Sequence, residues 1–230
     1  MSAPIDTERA RVEAAYARRS HGDRYAPHQP DQQAIARTRA HVWARWLRTR
    51  TRPVTTVVEL GCGEGRVLQW LASRGEGTVV GVDLLLGRLA RARRDEAVPD
   101  TLVAGDAREV PIRSGSVDVV VCSTLLSSVL DDVHRGAIAA EIDRLLAPDG
   151  LVLWFDVARN NPRNPDVRKV GRADLARVFP GYAINVERVV LAPPLARALR
   201  RWPSAARALT KVPPLRTHLA GALWRDQTRG

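Results

Sequence analysis

Cysteine is scarce. The 230-residue chain has two, Cys62 and Cys122, too few for a disulfide framework or a cysteine-rich metal site. Long apolar runs are also missing. The longest are strand-length, such as Val117–Val121, far short of the roughly 20 residues of a membrane span. Residues Met1–Arg11 are charged and lack the apolar stretch of a secretory signal. These absences together point to a reducing cytoplasm and to no membrane span. Lysine occurs only at 169 and 211, so the net charge of +11 rests on arginine spread along the chain. Such a charge admits a nucleic-acid partner. A general preference for arginine over lysine gives the same count, and no aromatic-rich basic stripe accompanies it, which argues against nucleic acid.

Hydrophobic residues make up 45% of the chain, enough for a sizeable core. The length suits one α/β domain with extra helices. Residues Thr7–Arg19 and Asp31–Thr49 read as helices, the second with Ile35, Val42, Trp43, Trp46 and Leu47 on one face. Strands and helices then alternate. Val54–Leu60, Thr78–Val82, Leu102–Ala104, Ser116–Cys122 and Leu151–Val157 are strands; Glu64–Ser73, Leu86–Asp95 and Val133–Leu146 are helices. That order predicts a Rossmann-like, doubly wound, mostly parallel sheet covered by helices. A polar loop, Arg159–Val170, is followed by a short helix, Arg172–Phe179, and a long last strand, Tyr182–Leu191, which closes the sheet as an antiparallel C-terminal strand. Pro194–Arg225 reads as helices broken by Pro203 and Pro213–Pro214. The expected division is an N-terminal helical lid over 1–50 and a main domain over 51–230, ending in a helical extension over 194–230.

The first strand runs into Glu59-Leu60-Gly61-Cys62-Gly63-Glu64-Gly65. A glycine-rich turn at that place lets a ligand approach the backbone where strand order reverses. Asp83 ends the second strand, where an acid can accept both hydroxyl hydrogens of a ribose; the alternative is a helix N-cap. Asp106 follows the third strand, in Gly105-Asp106-Ala107. Its carboxylate can take the exocyclic amine of an adenine beside the Ala107 amide, or it is a turn aspartate. A nicotinamide dinucleotide is the competing cofactor. Its Gly-x-Gly-x-x-Gly fingerprint needs a third glycine where this chain has Arg66, and the run here is Gly-x-Gly-x-Gly.

Taken in order, these motifs resemble the class I S-adenosylmethionine (SAM)-dependent methyltransferases over residues 54–157. Val110–Asp118 and Leu145–Leu151 look like that family too. The resemblance implies SAM as cofactor. It places Glu59, Gly61, Cys62 and Gly63 at the methionine part, Asp83 and Leu84 at the ribose, and Asp106 and Ala107 at the adenine. Cys122 and Ser123 at the end of strand four, and Tyr16 from a lid helix, complete the expected cofactor set. No Asn/Asp-Pro-Pro-aromatic turn follows strand four, and Cys122 has no preceding proline. These features speak against adenine, glutamine and pyrimidine-carbon acceptors. Metal-independent O- or N-methylation of a small-molecule or glycan acceptor is the expectation.

A narrower resemblance, to a bacterial methyltransferase subfamily often found with polysaccharide or glycoconjugate genes, extends over Trp154-Phe155-Asp156, Asn160–Arg168 and pieces of the C-terminal third. The subfamily pattern has tyrosine where Phe155 stands. Asp156, at the end of strand five, is a candidate general base or acceptor ligand; the alternative is a structural acid paired with a nearby arginine. Trp154, Asn160, Asn161, Arg163 and Asn164 are the candidate acceptor residues, on a loop that otherwise reads as plain surface.

Overall fold

The computed structural model describes residues 7–19, 29–162, 164–199 and 201–226. Thr7–Arg19 (α1) and Pro30–Leu47 (α2) precede the sheet. The strands are Thr56–Leu60 (β1), Thr78–Asp83 (β2), Leu102–Ala104 (β3), Val117–Ser123 (β4), Leu146–Val157 (β5), Tyr182–Leu191 (β6) and Arg216–Arg225 (β7). Between them lie Arg66–Ala72 (α3), Leu86–Ala92 (α4), Asp132–Leu145 (α5), Arg172–Val178 (α6), Pro193–Ala198 (α7) and Pro203–Leu209 (α8). The sheet order is β3-β2-β1-β4-β5-β7-β6. The first five strands in that order are parallel, and β7 runs antiparallel between β5 and β6. Strand order reverses between β1 and β4, the switch point at which open α/β sheets bind ligands.

Side chains alternate along each strand, so one strand feeds two cores. Val58, Leu60, Val120, Cys122, Val152 and Trp154 face α5 and α6. Val57, Val119, Val121, Leu153 and Phe155 face α2, α3 and α4. Parallel strands covered on both faces carry near-continuous apolar runs, which is why Val117–Val121 reads as one. The expected apolar face of α2 is present. Val42, Trp43 and Leu47 are buried, and Trp43 meets the Phe155 ring edge-on with centroids 6.5 Å apart. Its indole N–H donates to the Trp154 carbonyl at 3.0 Å. α2 packs against β5, β6 and β7.

The last third differs from its sequence pattern. The helical reading of Pro194–Arg225 holds for α7 and α8 only. Arg216–Arg225 is β7, and this strand, not Tyr182–Leu191, is the antiparallel one at the C-terminus. Its central residues are buried from both sides, so no period-two alternation marks them. Gly221 is required there because a Cβ would lie 2.1 Å from the Asn185 carbonyl oxygen of β6.

Candidate active site

The glycine turn leaves β1 with Gly61, Gly63 and Gly65 all at positive φ, 73°, 59° and 77°, a conformation costly for any residue with a Cβ. The Gly61 and Cys62 amides both donate to the Val82 carbonyl, at 2.8 and 3.0 Å. That pins the turn to β2 and brings it beside Asp83. Asp83 is nearly buried. Its Oδ2 accepts the Gly63 N–H at 2.7 Å, and its Oδ1 accepts the Leu85 N–H at 2.9 Å. The second bond is a local turn contact, and α4 has no side-chain cap. The N-cap alternative is therefore not realised, although the acid does organise the entry to the helix.

A cleft opens at this edge. It is lined by Gly61, Asp83, Leu84 and Arg88 on one side, by Asp106, Ala107 and Arg108 on another, and by Thr124, Leu125 and Ser128 after β4. Tyr16, Val12 and Glu8 of α1 close it from above. Arg11 of α1 donates to the Ser128 carbonyl at 2.5 Å, and further contacts hold the helix there. Glu8 accepts the Leu130 N–H at 2.6 Å, the Tyr16 hydroxyl lies 3.1 Å from Ser128 Oγ, and Arg18 pairs with Asp166 at 2.8 Å. Asp106 is held by Arg108, whose Nη2 is 2.7 Å from Oδ2. Thr124 sits at φ 55°, strained backbone at the point where β4 enters the cleft.

Not every expected residue reaches the cleft. Cys62 and Cys122 are core thiols pushed well up by burial, and so stay protonated. Ser123 ends β4 and accepts Arg39 Nη1 at 3.0 Å. Trp154 was expected to touch the acceptor but is fully buried, edge-on to Phe179 at 6.2 Å; β5 alternation sends it into the core. Asp156 shares that face and is 1% exposed. Its Oδ2 accepts the Ser127 N–H at 3.0 Å and its Oδ1 the Val157 N–H at 2.7 Å. Burial pushes this carboxyl up to about 6, against the pull of those bonds and of Arg135. Asn160 and Asn161 are exposed. Asn160 Oδ1 accepts the Lys169 N–H at 2.7 Å, and the Asn161 carbonyl accepts the Asn164 N–H at 2.9 Å, folding the loop back on itself. Arg163 lies outside the described residues.

Three arginines escaped the sequence reading. Arg88 lies 3.5 Å from Asp83 and stacks over the Tyr16 ring at 4.6 Å. A Cβ on Gly63 would fall 2.1 Å from its guanidinium. Arg39, from α2, lies over the Trp43 and Phe155 rings at 5.2 and 5.6 Å. It makes no ion pair among the described residues, and burial lowers its pKa while Glu59 opposes that shift. Glu59 is fully buried, burial raises its carboxyl well above the usual range, and its Oε2 has no hydrogen-bond partner. Arg108 is the third, clamping Asp106. An arginine twenty residues before a glycine turn carries no local pattern, so only the packing of α2 could reveal Arg39.

This donor set suits SAM. The amino-acid end of SAM presents an ammonium and a carboxylate, and Glu59 and Arg39, a buried acid and a half-buried cation beyond the residues that line the cleft, have no partner of opposite charge at contact distance among the described residues. The ribose presents two hydroxyls, suited to Asp83. The flat adenine suits the slot between Asp106, Ala107 and Ile138.

Residues 58–154 match the protein family described as Methyltransferase domain. The chain is 36% identical over 108 residues to the nocamycin O-methyltransferase of Saccharothrix syringae, covering 44% of this chain and 37% of that protein. It is 30% identical over 105 residues to the malonyl-[acyl-carrier protein] O-methyltransferase of Yersinia pestis, covering 46% and 38%. The chain thus spans less than two fifths of the length of either relative. Among solved structures, an S-adenosylmethionine-dependent methyltransferase from Mesorhizobium loti superposes with a TM-score of 0.57 at 22% identity, covering 79% of this chain and 96% of that one. Residues 58–154 thus match a methyltransferase domain, and the sheet they belong to shares the fold of solved SAM-dependent methyltransferases.

Proposed function

We propose that this protein transfers the SAM methyl group to an oxygen of a small polar acceptor, a sugar, glycoconjugate or related natural product. The observation that carries the reading is the joint placement of the glycine turn, Asp83 and Asp106 around one cleft that α1 covers. Two curated relatives named as O-methyltransferases support the choice of oxygen. When bound, SAM supplies a methyl group on a sulfonium, a leaving group that needs no further activation. The chain's own part is then to hold the acceptor in line at short range and keep water out. Asp83 holds the ribose hydroxyls, Asp106 and the Ala107 amide hold the adenine edge, and Glu59 and Arg39 hold the two charges of the amino-acid end. Tyr16 and Val12 exclude water from above.

Asp156 takes a different role from a base. With both oxygens bonded to backbone amides, it fixes the turn Leu126–Ser128, and through Ser128 it fixes Tyr16. The exposed Asn160–Asn161 stretch, tied to α1 through Arg18 and Asp166, forms the rim by which an acceptor enters. Release of S-adenosylhomocysteine that depends on an added hydroxylated acceptor, with one methyl gained by that acceptor, is the expected result. Binding of SAM with no acceptor-dependent release across sugars, glycoconjugates and phenols would instead favour a SAM-binding module.

A further inference from the structure

The segment between β6 and β7 plays no part in the methyl-transfer reading. Residues 193–216 hold six Arg and Lys and no Asp or Glu, so about a tenth of the chain carries more than half of the net charge of +11. No acidic residue stands anywhere between Glu187 and Asp226. The segment is also poorly packed. Neither α7 nor the 3-10 turn Pro213–Leu215 has a buried residue. Trp202 is 64% exposed and Val212 40%, two of the four large apolar side chains on the described surface. Arg201 and Lys211 are exposed next to them in sequence. Prolines at the start of α7, α8 and the 3-10 turn break the segment into short, stiff pieces.

Its position is fixed. His218 of β7 pairs with Val157 of β5 and with Val189 of β6, so the C-terminal ends of those two strands lie at one edge of the sheet. The segment leaves from that edge, which is also the cleft edge. Arg197 anchors α7 to Asp31 at the start of α2, 3.0 Å away.

We propose that residues 193–216 form a peripheral docking surface for an anionic lipid bilayer, which sets the cleft edge close to the headgroups. Cations on an acid-free segment are drawn to an anionic surface within a Debye length. A tryptophan has an apolar body and a polar N–H, and it settles at the headgroup boundary. Exposed Val212, on the same segment, adds apolar area. A nucleic-acid duplex would use the cations and leave Trp202 and Val212 in water. The inference does not rest on the identity of the acceptor.

The test is co-sedimentation of the full chain with vesicles of phosphatidylcholine alone and of phosphatidylcholine with phosphatidylglycerol. Binding to the anionic vesicles only, weakening as salt is raised, is expected. Trp202→Ser and the double variant Arg201→Glu/Lys211→Glu should each reduce partitioning, the double variant by at least about tenfold. Both should bind SAM as the unsubstituted protein does, which shows that they are folded. Equal binding to neutral vesicles, no vesicle binding, or variants that partition unchanged would overturn the proposal. So would displacement of the protein from anionic vesicles by a single-stranded RNA oligonucleotide at lower concentration, which would assign the segment to nucleic acid.

Discussion

With Oδ2 on the Gly63 amide and Oδ1 on the Leu85 amide, Asp83 is held in place by its own neighbours. Its remaining lone pairs face the cleft, where they can accept two ribose hydroxyls. Removing the acid leaves those hydroxyls without an acceptor and frees the glycine turn. Asp83→Ala should therefore weaken SAM binding by about 1.5–3 kcal/mol, roughly tenfold to a hundredfold; calorimetric titration reads this directly. Arg39 brings a positive charge to the region beside Ser123. If it receives the carboxylate of the cofactor, Arg39→Met should weaken SAM binding while leaving binding of adenosine, which lacks that carboxylate, unchanged. An equal loss for both ligands would reduce Arg39 to a packing role against Trp43 and Phe155. For Asp156, buried and bonded to the Ser127 and Val157 amides, ionisation has a consequence for stability. The folded carboxyl titrates near 6, above its ordinary value of 3.8. The native state therefore holds a proton that the unfolded chain has already lost. Stability from this group is present in full below about 4 and is lost as pH rises through about 6. Asp156→Asn, which cannot titrate, should remove that part of the slope. Melting temperatures of the two proteins measured between pH 4 and 7 check it, and parallel curves would contradict the assignment. A base at 156 would instead show as a lost limb in the pH profile of turnover, with SAM binding intact.

At the scale of elements, α1 is the piece whose removal is most informative. It makes few apolar contacts with the sheet and is held by Glu8, Tyr16 and Arg18. Tyr16→Ala should raise the Michaelis constant or weaken SAM binding while shifting the melting temperature little. Trp43→Ala in α2 should do the reverse. It empties a fully buried site and costs about 3–5 kcal/mol, so urea unfolding should show a large drop in midpoint. The same contrast explains what could be read from sequence. The βα alternation from β1 to β5 is marked by valine-rich strands and glycine turns, local signals that tertiary context did not override. Gly61, Gly63, Asp83 and Asp106 sit at strand ends, so their order alone brings them to one edge. β7 gave no such signal. It follows Pro213–Pro214, its middle is Ala220-Gly221-Ala222, and its glycine exists for close approach to β6, which no local pattern encodes. Trp154 was expected at the acceptor because alternation says which residues share a face, but not whether that face is open. Arg39 and Glu59 are far apart in sequence and were brought together only by docking of α2 on the sheet.

For the molecule as a whole, the account joins a fold and a cleft through one cofactor. The sheet order puts the switch point between β1 and β4, the glycine turn and Asp83 meet there, and α1 closes the opening. The runner-up cofactor lacks its third glycine. Everything downstream, including the acceptor and its oxygen, depends on SAM occupying this cleft in the stated orientation. The most direct measurement is isothermal titration of the full chain with SAM, S-adenosylhomocysteine and NADH, repeated on Asp83→Ala. The account predicts saturable binding of the first two ligands with comparable affinity, none of NADH, and a drop of at least about tenfold for SAM in the variant. Binding of NADH, or SAM affinity unchanged by loss of Asp83, would contradict it.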